Sequence, residues 1–302
     1  MSEARTGAPT VVRTRAELAA ALRPPTAGPA AAGSRTGRAV VMTMGALHAG
    51  HLALVREARA RAEQVVVTIF VNPLQFGPTE DLDRYPRDLP GDLASLTAPD
   101  LLGEGDVVFA PAAEEMYPDG APVVRVDAGR IGTVYEGATR PGHLDGALTV
   151  VLKLLHLTAP DVAVFGRKDV QQLAAVTRMV RDLDLPVEVV GVPTVRDADG
   201  LALSSRNVYL SGAEREQALA LSRGLAAGQA VAADGGTPDA VRAATRDVLD
   251  AAGVGTDYVA LVDLDAFADV TGAVPAVGTA VLAVAATVGS TRLIDNSDVR
   301  WA

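Results

Sequence analysis

Residues 39–51 read AVVMTMGALHAGH. The apolar run Ala39 to Met42 is followed by a glycine-containing turn and then by a helical pattern from Leu52 to Gln64. A strand, a turn and a helix in this order aim backbone N–H groups and a helix N-terminus at one spot, which suits a phosphate group. The stretch therefore predicts the first half of a βαβ unit, with an anion site at its turn.

The segment after it completes the unit. Residues 65–71 read VVVTIFV, an almost continuously apolar run that is typical of a strand buried on both faces of a parallel sheet. Strand-like and helical patterns then alternate, which favours a Rossmann-like, doubly wound parallel sheet of the α/β class. The further predicted strands cover residues 106–110, 161–165 and 187–192, and the further predicted helices begin near Asp92 and cover residues 143–157 and 169–183.

The pattern changes after Pro193. A polar loop over residues 200–207 precedes two helical stretches, 213–232 and 238–252, and three strand-like runs, 257–262, 279–288 and 291–294. The turns between these runs are short, which implies antiparallel pairing. We therefore predict a Rossmann-like domain over residues 1–194 and a smaller α+β domain, with helices and a three-stranded antiparallel sheet, over residues 195–302.

The segments outside these elements receive simpler predictions. The start of the chain, to about Thr10, is polar and is expected to fray. Thr14 and Glu17 form the sequence signature of a capping box for a short helix that ends near Leu22. Residues 24–38 are predicted to be a surface loop, and residues 123–126 to be a β-rich excursion from the main sheet.

Composition limits the classes of function. The chain has 302 residues, a formal net charge of −10, no block of like charges and no cysteine. The charge argues against nucleic acid or an anionic membrane as a partner, and the lack of cysteine excludes thiolate chemistry. No signal-type segment and no apolar run long enough for a membrane span is present, so a soluble cytoplasmic protein is expected.

His48 and His51 are the first candidates for chemistry. Because they are three residues apart, they share one face of a first helical turn and could both donate to one phosphate. The alternative is a pair of capping or surface histidines, which is common for this spacing. A zinc site is a third reading, but with the other histidines at 143 and 156 a ligand set is hard to assemble.

The remaining candidates follow other predicted strands. Asn72 and Gln75 leave the second strand, and Lys168 and Asp169 open a helix where a lysine can reach a phosphate and an aspartate can cap. A capped helix with a solvated lysine is the alternative. Gln171 and Gln172 follow, and spacing does not decide which of them faces the site.

Two polar loops add possible anion partners. Ser204, Ser205 and Arg206 offer two hydroxyls and a guanidinium, and Arg140 precedes a helix. Each could equally be an ordinary polar turn or a surface charge. Since every candidate falls at the carboxyl end of a strand or in the loop to the second domain, the sequence as a whole indicates a nucleotide-phosphate site.

At these residues the sequence resembles the pantothenate synthetase (pantoate:β-alanine ligase) family of the group related to class I aminoacyl-tRNA synthetases. The resemblance spans nearly the whole chain, and residues 48–51 and 204–206 look like the two signatures of that group. The blocks that carry it are TMGALHAGH (43–51), FVNPLQF (70–76), YPR (85–87), TRPGH (139–143), KDVQQL (168–173) and LSSRN (203–207).

The resemblance implies roles for named residues. His48, His51, Lys168 and Arg206 would be catalytic, with His51 as the proton donor. Gln75, Gln172, Met44, Arg140 and Asn72 would bind pantoate or β-alanine. The ATP site would comprise Met44, Gly45, Ala46, Leu47, His48, Ala49, Gly50, His51, Gly166, Arg167, Lys168, Asp169, Val195, Leu203, Ser204, Ser205 and Arg206.

The resemblance also implies an activity. The enzyme would condense pantoate with β-alanine through a pantoyl adenylate, release AMP and pyrophosphate, and so make a coenzyme A precursor. ATP would be the co-substrate and would bring Mg²⁺, for which Asp92 is a weak candidate ligand. Residues 1–194 would bind nucleotide and pantoate, residues 195–302 would form a lid, and the protein would be a homodimer.

Two other functions stay open at the level of sequence. A nucleotidyltransferase could use the same histidines and stop at a nucleotidyl product, and a binding module could hold nucleotide without catalysis. Three residues also depart from the family's usual pattern: Met42 replaces proline, Arg167 replaces glutamate and Leu203 replaces methionine. Arg167 reverses a charge beside Lys168, which predicts an altered nucleotide affinity or salt dependence.

Overall fold

The structure is a computed structural model that describes residues 7–23, 36–77, 82–97, 101–273 and 278–301. The chain divides into two compact units. The first reaches Arg167 and resumes from Gln171 to Val192, and the second takes Lys168–Val170 together with the chain from Pro193 onward. Within the described ranges, no helix has the length and apolar character needed to cross a membrane.

A six-stranded parallel sheet forms the centre of the first unit, in the order β1-β4-β3-β2-β5-β6. Chain order runs outward from β2 to β3 and β4 on one side, and from β5 to β6 on the other. The strand order therefore reverses between β2 and β5, and ligands of open α/β sheets bind beyond the carboxyl ends of strands at such a point. The strands are β1 Thr10–Val12, β2 Thr36–Thr43, β3 Ala62–Ile69, β4 Val107–Phe109, β5 Val162–Gly166 and β6 Glu188–Val192.

Helices cover both faces of this sheet. They are α1 Arg15–Ala21, α2 Ala49–Arg61, α3 Leu89–Thr97, α4 Ala113–Met116, α5 Glu136–Thr139, α6 His143–Thr158 and α7 Val170–Asp182. Alternate residues of β2 enter different cores, since Val40 packs with residues of α6 and α7 and Val41 packs with residues of α2 and α3. Strands buried on both faces explain the continuous apolar runs in the sequence.

The second unit is a smaller α+β fold. Its helices are α8 Gly212–Ala233 and α9 Pro238–Ala251, and its strands are β7 Gly255–Asp263, β8 Ala268–Asp269, β9 Gly278–Val288 and β10 Thr291–Trp301. The strands form an antiparallel sheet in the order β10-β9-β7-β8. The helices share one apolar core with this sheet, built around Leu225, Leu249 and Leu282.

The predicted α/β class is confirmed, and several element boundaries are corrected. The small sheet has four strands instead of three, because the two-residue β8 carries too little sequence pattern to be seen. The last strand runs to Trp301, well beyond the predicted end at residue 294, since it pairs with β9 along its whole length. Helix α2 begins at Ala49 instead of Leu52, because His48 caps it.

Three other predictions also need correction. The chain was expected to fray to about Thr10, whereas Thr10 already begins a strand, Thr10–Val12, that pairs with β4. Residues 123–126, expected to be β-rich, form no strand, and the side chains of Val123 and Val124 are exposed. Of the predicted loop at 24–38, residues 24–35 lie outside the described residues, whereas Thr36 to Arg38 already belong to β2. The capping box at Thr14 and Glu17 is confirmed.

Candidate active site

The turn after β2 has a left-handed backbone at two successive residues. Gly45 has φ +82° and Ala46 has φ +51°. The hydroxyl of Thr43, at the end of β2, accepts from the N–H of Gly45 over 3.2 Å and donates to the carbonyl of Thr68 over 2.8 Å. A Cβ at position 45 would stand 2.8 Å from the carboxylate of Asp92, so the close approach as well as the φ angle requires glycine here.

Asp92, in α3, holds the same turn through hydrogen bonds to its carboxylate. Its side chain is buried and accepts the N–H of Leu47 over 2.7 Å and the N–H of Ala46 over 3.2 Å. The pKa of Asp92 is raised overall, chiefly because the carboxylate is buried. The two hydrogen bonds oppose this shift, and the charge of Asp88 adds to it. Asp92 thus orders the turn, and its role as a weak candidate for a magnesium ligand stays a prediction.

His48 and His51 both cap helix α2. Nδ1 of His48 accepts the N–H of Gly50 over 3.1 Å, and Nδ1 of His51 accepts the N–H of His48 over 3.3 Å. The two ring centroids are 4.1 Å apart. Because each Nδ1 is an acceptor, each neutral ring carries its proton on Nε2 and is a donor there. The capping reading and the chemical reading of the pair are therefore compatible, since they use different nitrogens.

A buried amide network lies after β3. Asn72 Nδ2 donates to Gln75 Oε1 and to the carbonyl of Gly146, both over 3.1 Å, while Asn72 Oδ1 accepts from Tyr117 and from the N–H of Leu74. These bonds use the whole hydrogen-bonding capacity of the Asn72 side chain. Gln75 Nε2 faces Met44 Sδ at 3.0 Å, so the predicted ligand-binding residues Gln75 and Met44 lie together.

Arg140 and His143 hold the main chain of Gln75. His143 Nδ1 lies 2.9 Å from the carbonyl oxygen of Gln75, and Arg140 reaches the same oxygen at 3.4 Å. Arg140 Nη1 lies 3.1 Å from His143 Nε2. A neutral His143 with its proton on Nδ1 satisfies both contacts, donating to the carbonyl and accepting from the guanidinium. Arg140 is thus brought to the predicted pantoate residue.

The two glutamines at the start of α7 have different surroundings. Gln171 is buried, and its amide bonds the carbonyls of Ile131 and Val134 and the N–H of Glu136. Gln172 is half-exposed, and its amide forms no hydrogen bond within the described part of the chain. Of the two, Gln172 is therefore the glutamine whose amide is not used by the described residues, and its contact with a ligand stays a prediction.

The segment after β5 is a short 3₁₀ helix, Arg167–Asp169, that precedes α7. Gly166 ends the strand, Arg167 and Lys168 are half-buried, and Asp169 is exposed. The predicted helix from Asp169 instead begins at Val170.

In the second unit, the loop after β6 closes on itself. Arg196 and Ala202 form an antiparallel bridge, and the N–H of Leu203 donates to the carbonyl of Val195 over 2.9 Å. Ser204 then caps the 3₁₀ helix Ser205–Tyr209 through a bond from the N–H of Arg206 to its hydroxyl. Ser204, Ser205 and Arg206 are all half-buried.

Two neighbouring residues of β10 hold this loop and Lys168. Asp295 is buried and binds the guanidinium of Arg196 with both oxygens, at 2.6 and 2.9 Å. Asn296 Nδ2 donates to the carbonyl of Lys168 over 2.8 Å. Within the second unit, the loop that leads to Ser204 and the turn that carries Lys168 are therefore fixed to the same strand.

Sequence reasoning gave no positioning role to Tyr117, His143, Arg196, Asp295 or Asn296. Most of them act on a main-chain carbonyl or on another polar side chain from a distant segment, and such a partner has no sequence signature. The described residues also contain no group of three or more His, Asp or Glu side chains that could hold a metal ion.

A family model described as pantoate-beta-alanine ligase matches residues 10–298. The chain belongs to this family. A protein of Frankia alni named pantothenate synthetase 4 is 57% identical over 303 residues, which cover 95% of this chain and 96% of that protein. These matches confirm three predictions from the motifs: the family, the enzyme class and the ATP-dependent ligation of pantoate to β-alanine.

Solved structures of this family agree with the fold. The crystal structure of pantothenate synthetase from Thermus thermophilus has a TM-score of 0.84 and 48% identity, over 95% of this chain and 98% of that chain. A pantoate-beta-alanine ligase from Francisella tularensis, complexed with β,γ ATP and β-alanine, has a TM-score of 0.74 and 29% identity, over 96% of this chain and 97% of that chain.

Proposed function

We propose that this ligase works through a pantoyl adenylate, and that His48 and His51 act on the phosphate of ATP at the reacting centre. The observation that carries the proposal is that the Nδ1 atoms of both rings accept main-chain hydrogen bonds, from which the tautomer follows. Both Nδ1 atoms are occupied by main-chain N–H groups at the N-terminus of α2, so each ring offers an Nε2–H donor where the sheet's strand order reverses.

The chemistry needs such donors. A carboxylate oxygen of pantoate attacks the α-phosphorus, the bond to the bridging oxygen of the β-phosphate breaks, and pyrophosphate leaves. Negative charge grows on the phosphate oxygens and on the leaving group, so N–H donors and cations lower the barrier. The amine of β-alanine then attacks the acyl carbon, AMP leaves and the amine loses a proton. We assign proton donation to His51.

We assign pantoate to the group around Gln75. Among the described residues, Gln75 Nε2 has only the thioether of Met44 as a partner, and a sulfur is a weak acceptor that an oxygen of the substrate would displace. Arg140 lies at the same main-chain turn and supplies a cation for a carboxylate, and Gln172 has an uncommitted amide within the described chain. Asn72, whose side chain is fully used inside the protein, is assigned to positioning instead of ligand contact.

In the second unit we assign the triphosphate to Lys168, Ser204, Ser205 and Arg206, with Lys168 and Arg206 stabilising the charge that develops. Two hydroxyls, an ammonium and a guanidinium are the donor types that phosphate oxygens prefer. Gly166, Arg167, Asp169, Val195 and Leu203 are assigned to the lining of the nucleotide site. The resemblance and the family of the chain support these assignments.

We also propose that Mg²⁺ arrives on ATP. Mg²⁺ keeps several waters and is commonly held by substrate phosphates with one or two carboxylates, so it does not need a complete protein cage. The lack of a three-residue cluster of acidic or histidine side chains among the described residues fits this mode. Bound there, the ion would neutralise charge on the departing pyrophosphate.

We propose further that residues 1–194 bind nucleotide and pantoate and that residues 195–302 form a lid. The support is that Ser204 to Arg206 belong to the second unit, so ATP binding by this loop would engage that unit. ATP should therefore slow proteolysis near residues 195–210. Unchanged cleavage at saturating ATP would contradict the lid.

The homodimer remains a proposal as well, with the cytoplasm as its location. Val123 and Val124 support it, since their side chains are 101% and 85% exposed on a short apolar segment. Pairing with a second copy would cover them. Val123→Asp should shift the molecular mass in solution toward the monomer, and an unchanged dimer would exclude this segment from the interface.

The function is tested by product analysis. With ATP and pantoate alone the protein should release pyrophosphate, and with β-alanine added it should form AMP and an amide. His51→Ala should lose most of the pantoate-dependent pyrophosphate release while the protein stays folded. Full turnover in that variant would remove His51 from the mechanism, and a stable nucleotidyl product would contradict the adenylate route.

A further inference from the structure

Tyr117 is a buried phenol outside the residues assigned to the reaction. It follows the short helix α4, is 7% exposed and donates its hydroxyl hydrogen to Asn72 Oδ1 over 2.9 Å. Its ring packs near Phe70, and the ammonium of Lys153 lies over the ring face at 5.2 Å from the centroid. Burial raises the pKa of Tyr117 to about 12, so the phenol remains protonated and keeps its donor at physiological pH.

The hydroxyl of Tyr117 helps to decide which way the amide of Asn72 faces. Oδ1 accepts from Tyr117 and from the N–H of Leu74, and Nδ2 donates to Gln75 Oε1 and to the carbonyl of Gly146. If the amide turned over, Nδ2 would face the N–H of Leu74 and Oδ1 would face the carbonyl of Gly146, and neither pair can form a hydrogen bond. The phenol oxygen could accept from Nδ2, but its donor bond to Oδ1 holds the amide in the orientation that the two main-chain groups set.

Asn72 in turn decides which end of the Gln75 amide is presented. Because Asn72 Nδ2 donates to Gln75 Oε1, the oxygen of that amide is held inward and Nε2 is held toward Met44 Sδ at 3.0 Å. Gln75 thus offers a hydrogen-bond donor at this place. An oxygen of the acid substrate is a stronger acceptor than the thioether and would take it over.

We propose that Tyr117 is a positioning residue for the acid substrate: its hydroxyl, together with the main chain of Leu74 and Gly146, holds Asn72, and Asn72 orients Gln75 so that an N–H faces an oxygen of pantoate. The proposal rests on the assignment of Gln75 to pantoate. A residue that only packs would affect all substrates alike, whereas loss of the Tyr117 hydroxyl should change the KM for pantoate and leave the KM values for ATP and β-alanine unchanged.

The first test is Tyr117→Phe, which keeps the ring and removes the hydroxyl. The KM for pantoate should rise about 3- to 10-fold, the range expected for one neutral hydrogen bond, while the KM values for ATP and β-alanine stay within about 2-fold. Tyr258→Phe, which removes a hydroxyl in the second unit, is the matched control and should leave all three unchanged. Equal increases for all three substrates in Tyr117→Phe would indicate a general structural effect and overturn the proposal.

The hydrogen bonds from Tyr117 to Asn72 and from Asn72 to Gln75 form a relay. The second test reverses the hydrogen-bond polarity of its second link, between Asn72 and Gln75. Asn72→Asp keeps an acceptor for Tyr117 but sets a carboxylate oxygen against Gln75 Oε1, so the Gln75 amide must turn its nitrogen inward. The KM for pantoate should rise more than the KM for ATP or for β-alanine. This variant keeps Tyr117 and is compared with the wild-type protein, so it remains a test if Tyr117→Phe proves unstable, and an unchanged KM for pantoate would contradict the relay.

A double-mutant cycle separates the relay from the assignment on which it rests. In a Gln75→Ala background, Tyr117→Phe should cause no further change in the KM for pantoate, since the donor that it orients is absent. The same fold-change in both backgrounds would overturn the relay alone. No effect of Gln75→Ala on the KM for pantoate would instead refute the contact of Gln75 with pantoate, and the relay with it.

Discussion

Asn296 donates a hydrogen bond from its side-chain amide to the main-chain carbonyl of Lys168 over 2.8 Å. The two residues are far apart in sequence, yet this bond fixes the turn that presents the lysine. Asn296→Asp should place a carboxylate against that carbonyl and displace the turn. We expect kcat/KM for ATP to fall about 5- to 30-fold, with a smaller effect on the KM for pantoate.

Ser297→Ala is the control for this prediction. Ser297 is the next residue of β10, and its hydroxyl is buried without a hydrogen-bond partner within the described chain, so its removal should be neutral or slightly stabilising. Steady-state kinetics with each substrate varied in turn, together with thermal unfolding, would measure both variants. Equal losses in the two would show that β10 tolerates no change and that the Lys168 contact has no special role.

Asp92 should give the turn at residues 45–47 a measurable pH dependence. Because burial raises its pKa in the folded protein, the folded state binds the proton more tightly than the unfolded state. Its contribution to the free energy of unfolding is therefore largest at acid pH and falls as pH rises from the unfolded pKa, near 3.8, through the raised folded pKa. Asp92→Asn should remove this slope and, by setting an amide against a main-chain N–H, raise the KM for ATP about 3- to 10-fold.

Asp88→Asn serves as its companion. The charge of Asp88 raises the pKa of Asp92, so the slope should persist in this variant and move to lower pH. Chemical unfolding at a series of pH values gives all three curves. An unchanged slope in Asp92→Asn would assign it to another carboxyl group.

Tyr117 predicts an alkaline effect of defined sign. Its pKa is raised to about 12, so the folded protein holds the phenolic proton more tightly than the unfolded chain. Stability from this group is complete below about pH 10 and is lost as pH rises toward 12, by up to about 3 kcal/mol. Of the 5 tyrosines, Tyr117 should ionise late in an ultraviolet titration, and Tyr117→Phe should abolish that late step. A late step that persists would belong to another tyrosine.

Gly146 permits the close approach of α6 to the turn that carries Gln75. A Cβ there would lie 2.2 Å from the carbonyl oxygen of Leu74 and 2.7 Å from the N–H nitrogen of Gln75. Gly146→Ala should therefore cost about 1–3 kcal/mol of stability and raise the KM for pantoate. Gly212→Ala, where a Cβ would meet no atom within 4 Å, should be neutral or stabilising. Equal stability and an equal KM for pantoate in the two variants would mean that the turn that carries Gln75 can shift without weakening the fold or pantoate binding.

His48→Asn separates the two roles of the first histidine. Asparagine is a good N-cap and can accept the N–H of Gly50, so the stability should change by no more than about 0.5 kcal/mol. The variant has no imidazole Nε2–H, so pantoate-dependent pyrophosphate release should fall about 100-fold or more. A loss of stability together with unchanged turnover would show that His48 acts only as the cap of α2.

The sequence predicted those parts of the fold and site that depend on local pattern. The apolar run at residues 65–71 predicted a strand of a parallel sheet, and the turn after β2 was predicted from the order strand, glycine, histidine, helix. Residues 123–126 were predicted wrongly as β-rich because their three valines favour strands by propensity, while in the first unit no strand forms there.

Other contacts could not be predicted because the partner is a main-chain group. Asp92 binds N–H groups of residues 46 and 47, and Asn296 binds the carbonyl of Lys168. Every residue has a main-chain carbonyl, and every residue except proline has a main-chain N–H, so nothing in the sequence distinguishes the ones that are used. The choice between Gln171 and Gln172 likewise needed the structure, since the amide of Gln171 meets the segment at residues 131–136.

Because the oxygen of the Gln75 amide is held inward, only its N–H faces the acid substrate, and this determines which acids the ligase excludes. With Gln75 assigned to pantoate, an acid that carries an ammonium group where pantoate carries a hydroxyl would set one donor against another. A buried donor without an acceptor discriminates more strongly than a missing methylene group does. Free α-amino acids, which share the carboxylate with pantoate, would be excluded by the hydrogen-bond polarity of one amide instead of by their size.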